Sequence, residues 1–273
     1  MIVLVGCGTL GVRVAKRLPR TKPLLLIDHD IVRTANVPRQ YAAADIGMRK
    51  VDACKQHYRP DADVLAKHLD ATTVGILSNA ELVIDCTDNM LTRRVINDYC
   101  SQHGIAWIHS GLSDTIGAVA VFLPGDACFS CVYPSIAGET CTDALDVAIA
   151  DKVADIVALK TEKFFRGDAT TKFIRISADD TKVLSIAKRS GCLTCTGTYE
   201  WLAPRRFYIT YCTGSKCMAA KPIKHSPDHG VPIDSVVEGV PVKLFPNGEI
   251  HFLADVDDDV LYRIAQKHFE SNK

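Results

Sequence analysis

Residues 2–11 constrain this chain more than any other segment. An apolar run, Ile2-Val3-Leu4-Val5, leads into Gly6-Cys7-Gly8-Thr9-Leu10-Gly11, and a helix-like stretch from Val12 to Leu18 follows. Strand, glycine turn and helix in that order open a βαβ unit, so the chain is committed to a sheet with helical crossovers. The glycines let the backbone turn sharply and approach a phosphate. The helix aims its first N–H groups at the anion. A second apolar run, Pro23 to Ile27, ends in Asp28. That acid follows Gly6 at about the twenty-residue spacing at which a carboxylate takes the ribose hydroxyls of a nucleotide.

The rest of the first half keeps the same rhythm. Apolar runs at 82–85, 105–109 and 117–123 alternate with helical patterns at 47–57 and 91–103. This alternation predicts an α/β fold, a Rossmann-like and mostly parallel sheet with helices on both faces. A longer helical pattern covers 142–165, with Thr142 as the expected N-cap. Two short strands, 173–176 and 183–186, are expected around the turn at 178–181. After about residue 203 the character changes. Strands are expected at 207–211, 240–245 and 249–253, with Pro246-Asn247-Gly248 as a hairpin turn and a closing helix over 260–269. The expected division is a nucleotide-binding domain, 1–205, and a small α+β appendage, 206–273.

The 32 basic and 32 acidic side chains balance. A neutral chain gives no electrostatic case for nucleic acid or an anionic membrane as partner. No apolar run approaches the roughly 18 residues of a membrane span. The first strand starts at residue 2, which leaves no room for a signal peptide, so a cytoplasmic location is the expectation.

Eleven cysteines in such a chain suggest metal or thiol chemistry rather than disulfides. Cys128-Phe-Ser-Cys131 and Cys192-Leu-Thr-Cys195 are two knuckles whose four thiolates would give Zn²⁺ a closed tetrahedral shell. The competing reading, a thioredoxin-like dithiol, uses one such pair at the start of a helix. Cys141 stands just before the long helix, where a thiol pKa falls and nucleophilicity at neutral pH rises. Cys7, Cys54, Cys86 and Cys100 read as packing residues. Cys212 and Cys217 lack the second pair that an iron–sulfur cluster would need.

The residues after the second strand narrow the choice of nucleotide. Asp28-His29-Asp30 is followed by Asn36-Val37-Pro38-Arg39-Gln40, then Lys50, then Asp85-Cys86-Thr87-Asp88-Asn89 and Arg93. In order and spacing these residues, with the two cysteine pairs, resemble the ThiF/MoeB/HesA family, adenylating relatives of ubiquitin-activating enzymes. The resemblance covers about residues 1–197. It implies an adenylyltransferase that uses ATP and Mg²⁺ on the C-terminal carboxylate of a small ubiquitin-like or sulfur-carrier protein ending in Gly-Gly. It also implies a homodimer. Asp28 would bind the ribose and Gly6, Gly8 and Gly11 would close over the nucleotide. Asn36, Arg39 and Gln40 would line the phosphates, with Asp30 and Asn89 beside them. Lys50 would bridge the phosphates, Asp88 would hold Mg²⁺, and Cys141 would act after adenylation.

The chain also departs from that family. Thr9 stands where many members have glycine, and the usual N-terminal helix, which in many relatives gives an arginine to the partner's site, is not seen before the first strand. Two other functions compete. A nicotinamide-dependent oxidoreductase would explain the glycine turn but not Arg39, Gln40, Lys50 or Asp88. A non-catalytic nucleotide-binding scaffold would not need Lys50 and Asp88 intact.

Overall fold

Strand β1 (Ile2–Val5) is buried along its whole length and is the axis of the molecule's larger unit. Parallel neighbours flank it: β2 (Leu24–Ile27) on one side and β4 (Leu82–Asp85) on the other. A three-residue strand, β3 (Asp63–Leu65), continues the sheet beyond β2, and β5 (Ala106–Ser113) continues it beyond β4. Three antiparallel strands complete it: β6 (Ile116–Phe122), β7 (Lys172–Ile176) and β8 (Thr181–Leu184). The order is β3-β2-β1-β4-β5-β6-β7-β8. The sheet is thus parallel through its first five strands, as the alternating pattern predicts. This computed structural model describes residues 1–37, 39–113, 115–134, 146–202, 208–212, 215–219, 233–244, 249–253 and 264.

Alternation along each strand divides the core between two faces. Leu4, Leu26, Ile84, Ile108, Val121 and Ile174 share one hydrophobic cluster with α1 (Thr9–Arg17), α2 (Lys50–His57) and α5 (Val147–Phe165). The residues between them point the other way. There Trp107 and Phe122 meet Phe129 of the one-turn helix α4 (Phe129–Val132), and α3 (Met90–His103) packs alongside. Helices on both faces are what βαβ crossovers produce.

Helix ends follow local chemistry. Asn89 caps α3, its Oδ1 accepting the N–H groups of Leu91 and Thr92 at 2.8 and 3.2 Å, and Gly104 ends it in the left-handed region. The long helix starts later than its pattern suggests. Asp146 is its N-cap and accepts from the N–H of Ala148 at 2.8 Å; Thr142, the expected cap, lies outside the described residues. The β7–β8 hairpin also turns earlier than expected, with β8 ending at Leu184. Neither β3 nor α4 is legible beforehand, because three residues and one turn are too short to show a period.

The described residues from 208 on form a second compact unit. Its strands are β9 (Tyr208–Cys212), β10 (Ser215–Ala219), β11 (Ile233–Val237), β12 (Val240–Leu244) and β13 (Glu249–Phe252). They form an antiparallel sheet in the order β11-β12-β13-β10-β9. Glu238 and Gly239 both have positive φ, the conformation of a two-residue type I′ hairpin between β11 and β12. Val242, Ile250 and Phe252 are buried in this sheet. The expected turn at 246–248 and the expected helix over 260–269 lie outside the described residues, apart from a buried Ile264. Among the described residues no helix is long and apolar enough to cross a membrane.

Candidate active site

The strand order reverses between β1 and β4, and the loops leaving those strands diverge to form a crevice at their carboxyl ends. The glycine turn occupies this place. Gly6 has φ of +93°, and a Cβ there would lie 2.8 Å from the carbonyl oxygen of Cys86 in the loop after β4. Gly11 is held tighter still: a Cβ on it would sit 1.8 Å from the Gly6 oxygen. Gly8 differs, with open space where its Cβ would point. Two glycines therefore close the turn on its neighbours, and the third leaves room beside the first turn of α1. That geometry suits an anion against exposed N–H groups.

Asp28 follows β2 and braces the same turn. Its Oδ2 accepts the N–H of Cys7 at 2.6 Å and its Oδ1 the N–H of Asp30 at 2.8 Å. A carboxylate has about four lone-pair positions, so both oxygens can still receive hydroxyl protons. Asp30 pairs with Lys50 at 2.7 Å, and the Lys50 side chain is largely buried. Burial alone would raise the Asp30 carboxyl, but the Lys50 hydrogen bond and charge, with His29 and Arg33, hold it below its ordinary value. Lys50 begins α2, and its N–H donates to the Asp30 carbonyl at 2.8 Å, so main chain and side chain fix the pair together.

The segment between β2 and α2 is tied to α1. Gln40 donates from Nε2 to Thr9 Oγ1 at 2.6 Å, while its buried Oε1 has no hydrogen-bond partner among the described residues. The Tyr41 hydroxyl lies 2.7 Å from the Cys7 carbonyl and 3.1 Å from that of Lys50, joining the glycine turn to the lysine. No motif marks this tyrosine beforehand. Asn36 accepts the Arg33 N–H at 2.8 Å in a single 3-10 turn, and Arg39 is exposed.

Asp88 is exposed in the turn after β4, between Thr87 and the helix cap Asn89. The structure gives the cap to Asn89, whose oxygen is thereby engaged, and leaves the Asp88 carboxylate outside it. Beneath the turn Asp85 is fully buried. His109 Nδ1 lies 2.8 Å from its Oδ2 and Arg93 Nε 3.4 Å from the same oxygen. His109 belongs to no motif in the sequence. Cys7 and Cys86 are buried, and their thiols are pushed well up: Cys7 chiefly by its contact with Cys54 and by burial, Cys86 by burial. They are packing residues, as are Cys54 and Cys100, both fully buried.

The two cysteine pairs converge. Cys128 is the N-cap of α4 and Cys131 lies within it; Cys192 precedes a single 3-10 turn, Thr194–Thr196, that contains Cys195. The sulfurs stand 3.9 Å (Cys128–Cys131), 3.6 Å (Cys128–Cys192), 3.5 Å (Cys131–Cys195) and 3.5 Å (Cys128–Cys195) apart. A tetrahedron with Zn–S bonds of about 2.3 Å has edges of about 3.8 Å. The thiols therefore fit a closed zinc shell without rearrangement. Cys141 lies outside the described residues. Cys212 and Cys217 fall on neighbouring strands, where the register sets Cys212 opposite Ser215 and Cys217 opposite Thr210.

Comparison with known proteins finds relatives of the larger unit. Rice (Oryza sativa subsp. japonica) ubiquitin-like modifier-activating enzyme 5 is 33% identical over 160 residues, 50% of this chain and 38% of that protein. The SAMP-activating enzyme E1 of Haloferax volcanii is 28% identical over 143 residues, 49% of this chain and 53% of that one. The chain thus spans between about two fifths and a half of the length of these relatives. Among solved structures, E. coli MccB with ATP superposes with a TM-score of 0.62 at 20% identity, over 71% of this chain and 66% of MccB. A family profile matches residues 1–197, from the first strand through the second cysteine knuckle, and on that match the chain belongs to the ThiF family.

Proposed function

We propose that this chain is an adenylyltransferase that activates the C-terminal carboxylate of a small ubiquitin-like or sulfur-carrier protein with ATP and Mg²⁺. A carboxylate oxygen of the carrier bonds to the α-phosphorus, the bond to the bridging oxygen breaks, and pyrophosphate leaves. Two anions meet in that step, so catalysis is mostly alignment and charge neutralisation. One observation carries the reading: the glycine turn, Asp28, the Lys50–Asp30 pair and the Asp85–Asn89 turn all gather at the carboxyl edge of β1, β2 and β4. The names of the relatives support it, since they activate ubiquitin-like modifiers or SAMP proteins.

The roles follow from the chemistry of each group. Asp28 takes the ribose hydroxyls. Gly6, Gly8 and Gly11 admit the phosphates to the N-terminus of α1. Asn36, Arg39 and Gln40 line the phosphates, and the unpartnered Gln40 oxygen is suited to a donor on the ligand. Lys50 neutralises the reacting phosphate, released to it by Asp30. Asp88 offers Mg²⁺ a hard oxygen ligand, and Asn89 holds the turn that carries it. Zinc in the four-cysteine cluster is structural, because four thiolates leave no open position. Cys141 receives the activated acyl group or delivers sulfur afterwards. The carrier ends in Gly-Gly, and the enzyme works as a homodimer in the cytoplasm. The domain division at about residue 205 separates the adenylating module from a unit that recruits the carrier or an acceptor.

The test is carrier-dependent ATP–pyrophosphate exchange with small β-grasp proteins ending in Gly-Gly. Exchange with one of them, lost in Asp88→Ala by about a hundredfold or more while the fold is kept, is the expected result. Near-normal exchange in Asp88→Ala removes the magnesium role from that residue. No exchange with any carrier, together with hydride transfer from a nicotinamide, establishes the oxidoreductase instead.

A further inference from the structure

We propose that His109 is a positioning residue for the Asp88 turn, acting with Arg93 through the buried carboxylate of Asp85. The proposal rests on the reading of Asp88 as the magnesium carboxylate. It concerns what keeps that carboxylate in place.

Asp85 is the last residue of β4 and is fully buried. Both of its oxygens are occupied. Oδ1 accepts the Thr87 N–H at 2.9 Å and the Thr87 hydroxyl at 2.6 Å. Oδ2 faces His109 Nδ1 at 2.8 Å and Arg93 Nε at 3.4 Å. Burial pushes the carboxyl up, yet His109, Arg93 and Thr87 together hold it below its ordinary value. The carboxylate is therefore ionised and cannot donate, so the proton in the His109 contact sits on Nδ1. Arg93 then closes the circuit by donating from Nη2 to the Thr87 carbonyl. Thr87 is thus fixed at its N–H, its hydroxyl and its carbonyl by two buried charged side chains. On the other side of Asp88, Asn89 is fixed as the cap of α3. The exposed carboxylate is bracketed by two residues that have no freedom to turn.

The imidazole belongs to this arrangement as a specific part. Its ring lies on β5, one strand over from Asp85, and Phe129 packs against it edge-on at 5.1 Å. A Cβ on Gly111 would come within 3.4 Å of the His109 ring and 3.5 Å of the Arg93 guanidinium, so the backbone of β5 passes close by both. A carboxylate buried against an arginine, an imidazole N–H and a hydroxyl is held in one orientation, and misplacing a reactive group by about 1 Å can cost a hundredfold in rate.

Binding of a fluorescent ATP analogue as a function of magnesium concentration tests this, alongside ATP–pyrophosphate exchange. His109→Ala should raise the magnesium needed for half-maximal nucleotide binding by about tenfold and lower kcat, with little change in KM for the carrier. His109→Asn places an amide N–H near the position of Nδ1, and should stay within about threefold of the parent protein. Thr87→Val, which keeps the shape and loses only the hydroxyl, should shift the magnesium dependence by about fivefold or more. Normal magnesium dependence in His109→Ala or in Thr87→Val overturns the proposal, even if the melting temperature falls. Equal defects in His109→Ala and His109→Asn also overturn it, because the ring would then act by packing. Parent protein that binds magnesium and nucleotide but gives no exchange defeats the adenylation reading alone. Parent protein that binds neither defeats both.

Discussion

Lys50 is already paired before any nucleotide arrives. Its ammonium lies 2.7 Å from Asp30 in a largely buried setting, so phosphate must compete with a carboxylate for it. A long, flexible cation held this way is oriented in advance and still transferable. Two outcomes are expected of Lys50→Ala. Exchange should fall about a hundredfold or more, as for other groups aimed at developing charge. The Asp30 carboxyl should also change its titration. Burial raises it, and the Lys50 hydrogen bond and charge are the main opposing influence. Without Lys50 its pKa must rise, which carbon-detected NMR of that side chain can follow. A pKa that stays put would show that His29 and Arg33 hold Asp30 instead. Both residues are legible in the sequence but their bond is not, because they are 20 positions apart and the contact is hidden.

Helix α3 joins the two candidate sites. Its cap and Arg93 secure the Asp88 turn, and its middle secures both cysteine knuckles. Asn97 accepts the Phe129 N–H at 2.8 Å and donates toward Ser130 and Thr194. Asp98 accepts the Thr194 hydroxyl at 2.7 Å and the Trp201 N–H at 3.0 Å, and Arg94 donates to Ser130 and to the Tyr133 carbonyl. Arg93, Arg94, Asn97 and Asp98 are all nearly inaccessible. Asn97→Leu would strand the Phe129 N–H, at a cost of about 1–3 kcal/mol for a buried group left unpaired. Chemical denaturation measures that loss, and a change under about 0.5 kcal/mol would mean that the knuckles hold themselves. The helix itself is legible from its apolar period. Its buried polar face is not, since Arg-Arg and Asn-Asp at helical spacing read as a solvated side. The glycine turn, Asp28 and the cysteine pairs are legible because they depend on local backbone geometry and fixed ligand chemistry. The Asp85–His109 contact is hidden because it joins two strands that are neighbours only once the sheet forms.

At the scale of the whole molecule, the chemistry divides in time. Adenylation needs a carboxylate, ATP and neutralising charge, none of which is a thiol. Cys141→Ala should therefore leave ATP–pyrophosphate exchange within about threefold of normal and abolish any thiol-sensitive adduct with the carrier. An adduct that survives in Cys141→Ala and disappears in Cys212→Ala or Cys217→Ala would move the nucleophile to the second unit. The shared helix α3 has a practical consequence. On the proposed reading, a chelator such as EDTA should inhibit this protein in two phases. The first is immediate, removes magnesium from the nucleotide and is reversed at once by excess Mg²⁺. The second is slow, follows loss of the proposed zinc from the four cysteines, and leaves α3 without the knuckles it packs against although that site is remote from the substrate's chemistry. Magnesium will not reverse that phase, while Zn²⁺ supplied with a thiol reductant will. Assayed at a single late time point, the protein would pass for a zinc-dependent catalyst.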